Sequence, residues 1–143
     1  MKKTLQLPPS ADNPRNSEGD FITLNDGRIL FIYTHFTGGR SDHAEAALHA
    51  RSSTDKGLSW SSEDRLVLPN EGGCNIMSVS LLRLQDGRIA LFYIRKNSLA
   101  DCRPIMRLST DEGESWGAPQ LVIPEDDIGY FVLNNNRVIQ LQS

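Results

Sequence analysis

The sequence contains little of several residue types that would mark specialised classes of protein. Two cysteines in 143 residues allow at most one disulfide, and no cysteine or histidine spacing is typical of a zinc site, so we expect no metal. No apolar run approaches the roughly 20 residues that a membrane-spanning helix needs. Fifteen basic and 18 acidic residues give a formal charge of −3. We therefore expect neither nucleic acid nor a membrane as a partner.

The amino terminus has only part of a secretion signal. Residues 1–3 (MKK) carry the positive charge of such a signal, but residues 5–9 (LQLPP) cannot form the apolar segment that must follow. We expect a cytoplasmic protein by default, and a secreted one only if a leader has been removed. Without a leader, Cys74 and Cys102 are expected to be free thiols, and one disulfide between them is the alternative.

What the sequence does contain is a repeated octapeptide. Residues 109–116 (STDEGESW) match residues 53–60 (STDKGLSW), which lie 109 − 53 = 56 positions earlier. Asp and Ser side chains in such a segment can accept hydrogen bonds from backbone N–H groups, and Gly can adopt a φ that other residues resist. The Trp can then enter an apolar layer with its indole N–H near the polar turn. Two copies indicate a repeated structural unit.

A second pattern has a similar spacing. Residues 21–26 align without gaps with residues 81–86 and 138–143, and the first two segments continue into Gly-Arg-Ile and another apolar run. A strand, Asn/Gln-Asp-Gly and a second strand form a strong hairpin signal. Third strands are predicted at 46–53 and 105–109, and fourth strands at 65–68 and 120–123. Residues 42–51 have some helical propensity, but the repeat favours a strand there.

These units predict an all-β protein built from four-stranded antiparallel β-propeller blades. With 38% hydrophobic and 23% charged residues, the composition is that of one water-soluble globular domain over residues 1–143. We divide it into an extended arm (1–20), a first blade (21–70), a second blade (71–126) and the first strand of a third blade (127–143). Two blades cannot close a ring, so we expect an amino-terminal fragment of a longer propeller; self-association of the fragment is the alternative.

The octapeptides fit the pattern S-x-D-x-G-x-x-W, which resembles the Asp-box, or BNR repeat, of the sialidase (neuraminidase) superfamily. The resemblance implies a six-bladed propeller of which this chain would form the first two blades and a fraction. It also implies that the motif residues are structural: Ser53, Asp55, Gly57, Trp60, Ser109, Asp111, Gly113 and Trp116. Asp-boxes occur as well in propellers that only bind partners.

The repeat places chemically active side chains at one end of the sheets. The Asp-Gly-Arg hairpins and the octapeptides should lie at the other end, because turns alternate between the two ends of an antiparallel sheet. The candidate face therefore collects residues 13–20, 34–45, 69–78, 95–104 and 124–137. In propellers, ligands bind at the mouth formed by this face.

The resemblance also suggests site residues. Sialidases use three arginines to bind the substrate carboxylate, an Asp as general acid/base, and a Tyr activated by a Glu as nucleophile. Asp42 stands 11 residues before Ser53 and matches the acid/base position; a solvated loop turn is its alternative role. Arg15 is nearest to the first arginine, although it stands in Pro-Arg-Asn-Ser instead of Arg-Ile-Pro. The substrate-binding candidates are Arg15, Glu18, Arg40, Arg103 and Arg137.

Several of these residues also have simpler interpretations. Arg15 could form a salt bridge within the arm, Glu18 could accept backbone hydrogen bonds, and Arg103 could pair with Asp101. Tyr33 and Tyr93 occupy equivalent strand positions and are expected in the core or on a flank.

The resemblance predicts an exo-glycoside hydrolase that removes a terminal acidic sugar, sialic acid, from glycoconjugates without any cofactor. The fragment alone is expected to be inactive, because the nucleophile would come from later blades. The alternatives are a non-catalytic propeller that binds glycan or protein, and a glycosidase or lyase that acts on another acidic sugar.

Overall fold

The computed structural model describes residues 3–142 and contains two four-stranded antiparallel sheets. The strands of the first sheet are β1 (Arg15–Thr23), β2 (Ile29–Phe36), β3 (Ala46–Ser53) and β4 (Arg65–Leu68), side by side in that order. Those of the second are β5 (Asn75–Arg83), β6 (Ile89–Lys96), β7 (Cys102–Ser109) and β8 (Gln120–Leu121). Residues 3–142 form no helix, and therefore none that could span a membrane. The predicted all-β blades are confirmed.

The Asp-Gly turns form as the sequence predicts. The N–H of Leu24 donates to the carbonyl oxygen of Arg28 at 2.8 Å, and the Asp26 carboxylate accepts the N–H of Arg28 at 2.9 Å. Gly27 has a φ of 86°, which a residue with a side chain would adopt only with strain. The turn at residues 84–88 repeats these contacts, so the same local chemistry starts both sheets.

Each octapeptide forms the same polar turn at the end of its third strand. The hydroxyl of Ser53 accepts the N–H of Gly57 at 2.8 Å, and the Asp55 carboxylate accepts the N–H and the hydroxyl of Ser59 at 2.8 and 2.6 Å. These hydrogen bonds, first those from Ser59, lower the pKa of Asp55 to about 2. The second copy has equivalent contacts at 2.8, 2.9 and 2.5 Å, and the pKa of Asp111 is likewise lowered to about 2, first by Ser115.

The two tryptophans pack over the glycines of these turns. Trp116 contacts the main apolar core, and Trp60 makes edge-on contacts with Phe21 and Phe31 at centroid distances of 5.7 and 6.2 Å. Both indole nitrogens are buried, and neither has a hydrogen-bond partner among residues 3–142. The tryptophan rings therefore lie in apolar layers, as expected. The carboxylates of Asp55 and Asp111, however, accept hydrogen bonds from serines and not from the indole N–H groups.

The core lies between the two sheets and packs one blade against the other. Its members occupy alternate positions along β2, β3 and β6, and include Leu30, Ile32, Leu91 and Tyr93; Ile105 of β7 joins them. Burial on one face explains the period-two apolar pattern of β3, whereas β5 is buried on both faces from Asn75 to Leu81. The contact is fixed by polar bonds as well: the Asp20 carboxylate of β1 accepts the N–H of Leu81 in β5 at 2.8 Å.

Three predicted strand boundaries are wrong. The first strand begins at Arg15 instead of Phe21, β5 begins at Asn75 instead of Leu81, and β7 begins at Cys102 instead of Ile105. In β1 and β5 a bulge interrupts the register, between Ser17 and Asp20 and at residues 77–80. A bulge adds a residue and shifts the alternation of side chains. The apolar alternation therefore does not continue into the paired residues that precede the bulge, and it predicts a strand that begins too late.

Two other predicted strands are shorter or missing. The fourth strand predicted at 120–123 is limited to Gln120–Leu121. Residues 138–142, predicted to begin a third blade, form no strand; Ser143 lies outside the described residues. The segment before them runs alongside β5, where the Ser80 hydroxyl donates to the Asn134 carbonyl oxygen at 3.3 Å. A strand needs a partner to complete its hydrogen bonds, and residues 3–142 supply none there.

Candidate functional site

The candidate site lies where the two innermost strands, β1 and β5, begin. The bulges place Glu18 and Ser78 in equivalent positions, with φ values of 38° and 63°. Positive φ is costly for residues with side chains and is concentrated at functional sites. The Ser78 hydroxyl donates to Oε2 of Glu18 at 3.1 Å, so the two strained positions meet across the junction of the blades. Glu18 thus accepts a side-chain hydrogen bond, whereas its simpler interpretation from the sequence was as an acceptor of backbone hydrogen bonds.

Two predicted site residues, Arg15 and Asp42, are in direct contact. Nη1 of Arg15 lies 2.5 Å from Oδ1 of Asp42 and donates to the Arg40 carbonyl oxygen at 3.0 Å. The Arg15 guanidinium stacks 4.5 Å from the centre of the Phe36 ring, which restricts its orientation. The Asp42 side chain is 63% exposed and that of Arg15 is 27% exposed. The pair is therefore accessible to a ligand, and the guanidinium is partly pre-positioned.

Asp42 is held in its ionised form. The hydrogen bond from Arg15 is the main reason that the pKa of the Asp42 carboxyl lies below its usual value, and the positive charges of Arg15, Lys96 and His43 lower it further. A carboxylate in this state accepts hydrogen bonds but has no proton to donate near neutral pH. The unliganded site thus suits anion recognition by Arg15 more directly than acid catalysis by Asp42.

The loop that carries Asp42 belongs to the first sheet but is held by the second. Lys96, the last residue of β6, donates from Nζ to the Asp42 carbonyl oxygen at 2.8 Å. Asn75, the first residue of β5, donates from Nδ2 to the same oxygen at 2.9 Å and to the Ala44 carbonyl oxygen at 2.8 Å. The geometry of the site therefore depends on the packing of two blades.

The remaining predicted substrate-binding residues lie apart from this pair. The Arg40 side chain is exposed, and only its carbonyl oxygen contacts Arg15. Arg103 forms the local pair with Asp101, at 2.7 and 3.1 Å, and also donates to the Glu125 carbonyl oxygen at 2.8 Å. Arg137 is exposed, and its contact in the described chain is a backbone one to Ser80. The structure thus brings together Arg15, the Arg40 backbone and Asp42.

A tyrosine paired with an acidic residue occurs twice, but in neither pair is the tyrosine accessible. The Tyr93 hydroxyl contacts Glu71, and Arg107 donates from Nε to the hydroxyl at 3.0 Å and from Nη2 to Glu71 at 2.6 Å. Tyr33 makes the matching contact with Asp64. Tyr33 and Tyr93 are at most 1% exposed, and burial first, then the acidic partner, raises the pKa of each phenol. These tyrosines are structural, as their strand positions predict.

Two grooves adjoin the site. One of about 280 Å³ is lined by Leu7, Pro9, Pro14, Arg15, Asn16 and Arg40, and could admit a ligand to the guanidinium. The other, of about 400 Å³, is mostly apolar and runs along the outer face of β1 and β2 past Glu18. Among residues 3–142, no three His, Cys, Asp or Glu side chains gather as a metal ion would require.

Comparison with solved structures identifies the architecture as that of β-propeller blades. A protein of unknown function from Dyadobacter fermentans DSM 18053 matches with a TM-score of 0.70 and 20% identity, over 85% of this chain and 40% of that one. Hadza microbial sialidase Hz136 matches with a TM-score of 0.58 and 18% identity, over 78% and 26%. The Trypanosoma rangeli sialidase, solved with 2,3-difluorosialic acid as a covalent intermediate, gives 0.57 and 14%, over 75% and 20%.

These likenesses show the fold, and the chain spans 40% or less of the length of each of the three proteins. No family model matches the sequence, and the comparison with curated proteins gives no match.

The repeat pattern predicts Asn75 and Lys96 on the site face but indicates no role for either residue. The signal that could have found them is the repeat itself. Asn75 is aligned with Arg15 at the start of the inner strand, 60 positions apart, and it is fully buried although it is an amide. A polar residue at an inner-strand start is therefore a site candidate in each unit.

Proposed function

We propose that this chain is part of a carbohydrate-active propeller whose mouth binds an acidic sugar, and that the whole protein is a sialidase-like exo-glycoside hydrolase. The contact between Arg15 and Asp42 is the observation that carries this proposal. It joins a carboxylate-binding group and a candidate acid/base at the strand ends where propellers bind ligands. The similarity of the fold to two sialidases supports the choice of sugar.

Arg15 can serve as the recognition group in this proposal. A guanidinium matches a carboxylate in shape and charge, and the stacked Phe36 ring keeps Arg15 oriented before the sugar arrives. A sugar carboxylate would compete with Asp42 for the same Nη1 atom. Binding would thus exchange an internal salt bridge for a bond to the substrate.

That exchange would also prepare Asp42 for catalysis. Without its hydrogen bond from Arg15, and next to a new negative charge, the Asp42 carboxyl would take up a proton more readily, because both changes raise its pKa. It could then transfer this proton to the glycosidic oxygen as the bond from that oxygen to the anomeric carbon breaks. Later it would accept a proton from the attacking water. The accessible nucleophile would have to come from blades other than these two.

A non-catalytic, glycan-binding propeller is the second candidate, and one observation favours it. In the free structure Asp42 is ionised and paired, which is the state of a binding residue instead of that of a general acid. In this case the sugar would bind to Arg15 and leave with its glycosidic bond intact.

The first test is the binding of N-acetylneuraminic acid to the chain, followed by amide chemical shifts in NMR. We expect perturbations at Arg15, Asp42 and Ala44, and little response to the neutral sugar N-acetylmannosamine. Arg15→Met should weaken binding about tenfold or more, since a charged hydrogen bond contributes roughly 1.5–3 kcal/mol. Arg28→Met is the matched control, because Arg28 pairs with Asp26 at the opposite end of the sheet. Equal responses to both sugars would refute the acidic-sugar proposal.

The second test separates the enzyme from the binding protein. A protein that carries this chain together with the remaining blades should hydrolyse a fluorogenic α-sialoside, and Asp42→Asn should remove most of that rate. The chain alone should not hydrolyse it. Binding without hydrolysis by the longer protein would support the second candidate.

A further inference from the structure

Lys96 has an unusual environment for a lysine. It is 2% exposed, and its ammonium contacts the Asp42 carbonyl oxygen at 2.8 Å, the Met77 sulfur at 3.7 Å and the face of the Tyr130 ring at 5.6 Å. No carboxylate among residues 3–142 forms an ion pair with it. Lysine is rarely buried without such a partner, because the removal of its charge from water costs several kcal/mol.

The hydrogen bond that Lys96 makes does not require a charge. The same Asp42 carbonyl oxygen already accepts the amide of Asn75 at 2.9 Å. A neutral donor could supply the second bond at a much smaller desolvation cost. The positive charge must therefore be explained by something other than the support of this loop.

The side chain of Asp42 offers that explanation. The charged groups that act on its carboxylate are Arg15 from β1, His43 from the same loop and Lys96 from β6. A ligand can displace the Arg15 guanidinium from Asp42 because Arg15 is partly exposed. The Lys96 ammonium, by contrast, is buried and held by its hydrogen bond to the Asp42 carbonyl oxygen. Lys96 thus supplies a constant positive potential that remains when the Arg15 contact is broken.

We infer that Lys96 is a positioning residue for Asp42: with Asn75 it anchors the Asp42 loop to the second blade, and its buried charge keeps the Asp42 carboxylate ionised and paired with Arg15 while the site is empty. This inference rests on the proposed function, in which Asp42 takes up a proton only after the sugar has displaced it from Arg15. Because the positive charge of Lys96 opposes protonation of the Asp42 carboxylate, Asp42 takes up a proton only when the sugar brings a negative charge of its own. Acidic sugars would meet the requirement and neutral ones would not.

The charge and the anchor can be tested by two different substitutions. Lys96→Met removes the charge and one hydrogen bond, whereas Asn75→Ala removes two neutral hydrogen bonds and leaves the charge. The ¹³C NMR titration of the Asp42 carboxyl reports the charge. Amide hydrogen exchange at Ala44, whose N–H donates to the Ser41 carbonyl oxygen at 3.0 Å, reports the anchoring of the loop. Lys3→Met, at an exposed lysine, controls for the change in net charge.

We expect Lys96→Met to move the Asp42 titration to higher pH and to accelerate exchange at Ala44 about tenfold, the effect of one lost hydrogen bond. Asn75→Ala should accelerate exchange with little change in the titration. Thermal stability should stay constant or rise in Lys96→Met, because a buried charge has been replaced by an apolar chain. Lys96→Gln should shift the titration in the same direction and serves as the second variant if Lys96→Met does not fold.

A shift in Lys96→Met no larger than in Lys3→Met would overturn the inference, as would a marked loss of stability with an unchanged titration. The titration needs no sugar, so the two proposals can fail separately. A shifted titration without sialic acid binding would count against the proposed function. Intact binding with an unshifted titration would count against the role of Lys96.

Discussion

Glu112 is predicted to fix the second blade against the first, although it stands in an exposed turn. Its carboxylate accepts the N–H of Asn25 at 2.7 Å and the Asn25 amide at 3.0 Å, and it forms two contacts with the Arg83 guanidinium, one of them at 2.8 Å. Asn25 belongs to the first hairpin, whereas Arg83 and Glu112 belong to the second sheet. Glu112→Gln should therefore weaken the junction between the blades.

The size of the effect follows from the exposure of the pair. The side chains of Arg83 and Glu112 are 27% and 28% exposed, so water screens part of their attraction. Charged hydrogen bonds contribute about 1.5–3 kcal/mol and exposed ion pairs about 0–1 kcal/mol. We expect Glu112→Gln to reduce the free energy of unfolding by about 1–2 kcal/mol, which is between these two cases.

Glu114 provides a control two residues away. Its ion pairs to Arg28 and Arg65 are long, at 3.6 and 3.7 Å, and its side chain is 56% exposed. Glu114→Gln should change the free energy of unfolding by less than about 0.5 kcal/mol. Urea denaturation at pH 7 measures both variants, and a double-mutant cycle with Arg83→Met isolates the contribution of the Arg83 pair.

The effect should also depend on pH. Arg83 holds the pKa of Glu112 below its usual value, so the stabilisation is fully present above the pKa of an unfolded Glu, about 4.3. It is lost as the pH falls through the lower value of the folded state. The difference between the wild type and Glu112→Gln should shrink accordingly towards pH 3. Equal destabilisation by Glu112→Gln and Glu114→Gln at pH 7 would refute this explanation of the junction.

Three further predictions concern local chemistry. Burial and the neighbouring His35 imidazole, on which His49 stacks, lower the pKa of His49 to about 4. The free energy of unfolding should therefore fall by up to roughly 3 kcal/mol as the pH drops from about 6.5 towards 4. In urea denaturation, His49→Gln should remove much of this pH dependence. Asp111→Ala should lower the melting temperature, measured by circular dichroism, without changing the affinity for sialic acid, since the carboxylate holds a turn far from the mouth. Cys74 and Cys102 are both free; a thiol reagent should label Cys74 first, because Cys102 is 0% exposed and burial raises the pKa of its thiol.

The local structure could be predicted from the sequence because its causes are local. Asp26-Gly27 and the serines and aspartates of the octapeptides form hydrogen bonds within four residues of themselves, so a short segment contains all the information that its turn needs. The repeat spacing then gives the number of strands in each of the two blades and the end of the sheet at which each turn lies. The all-β blades follow from these patterns.

The strand beginnings could not be predicted in this way. Residues 15–18 and 75–78 are polar or interrupt the alternation, and only pairing with β2 and β6 makes them strands. Glu18 and Ser78, which lie in the two bulges, contact each other across the junction of the blades, and no single segment of sequence encodes that contact.

The sequence alone determined the blades, their turns and the end of the sheets at which Arg15 and Asp42 lie. Tertiary structure decided that these two residues form an ion pair, that Arg103 pairs locally with Asp101, and that Lys96 lies beneath the Asp42 loop. The physical reason is the range of the interactions. Turn hydrogen bonds join neighbours along the chain, whereas Lys96 and Asp42 are 54 residues apart and meet only because the burial of one apolar face on another brings two blades together.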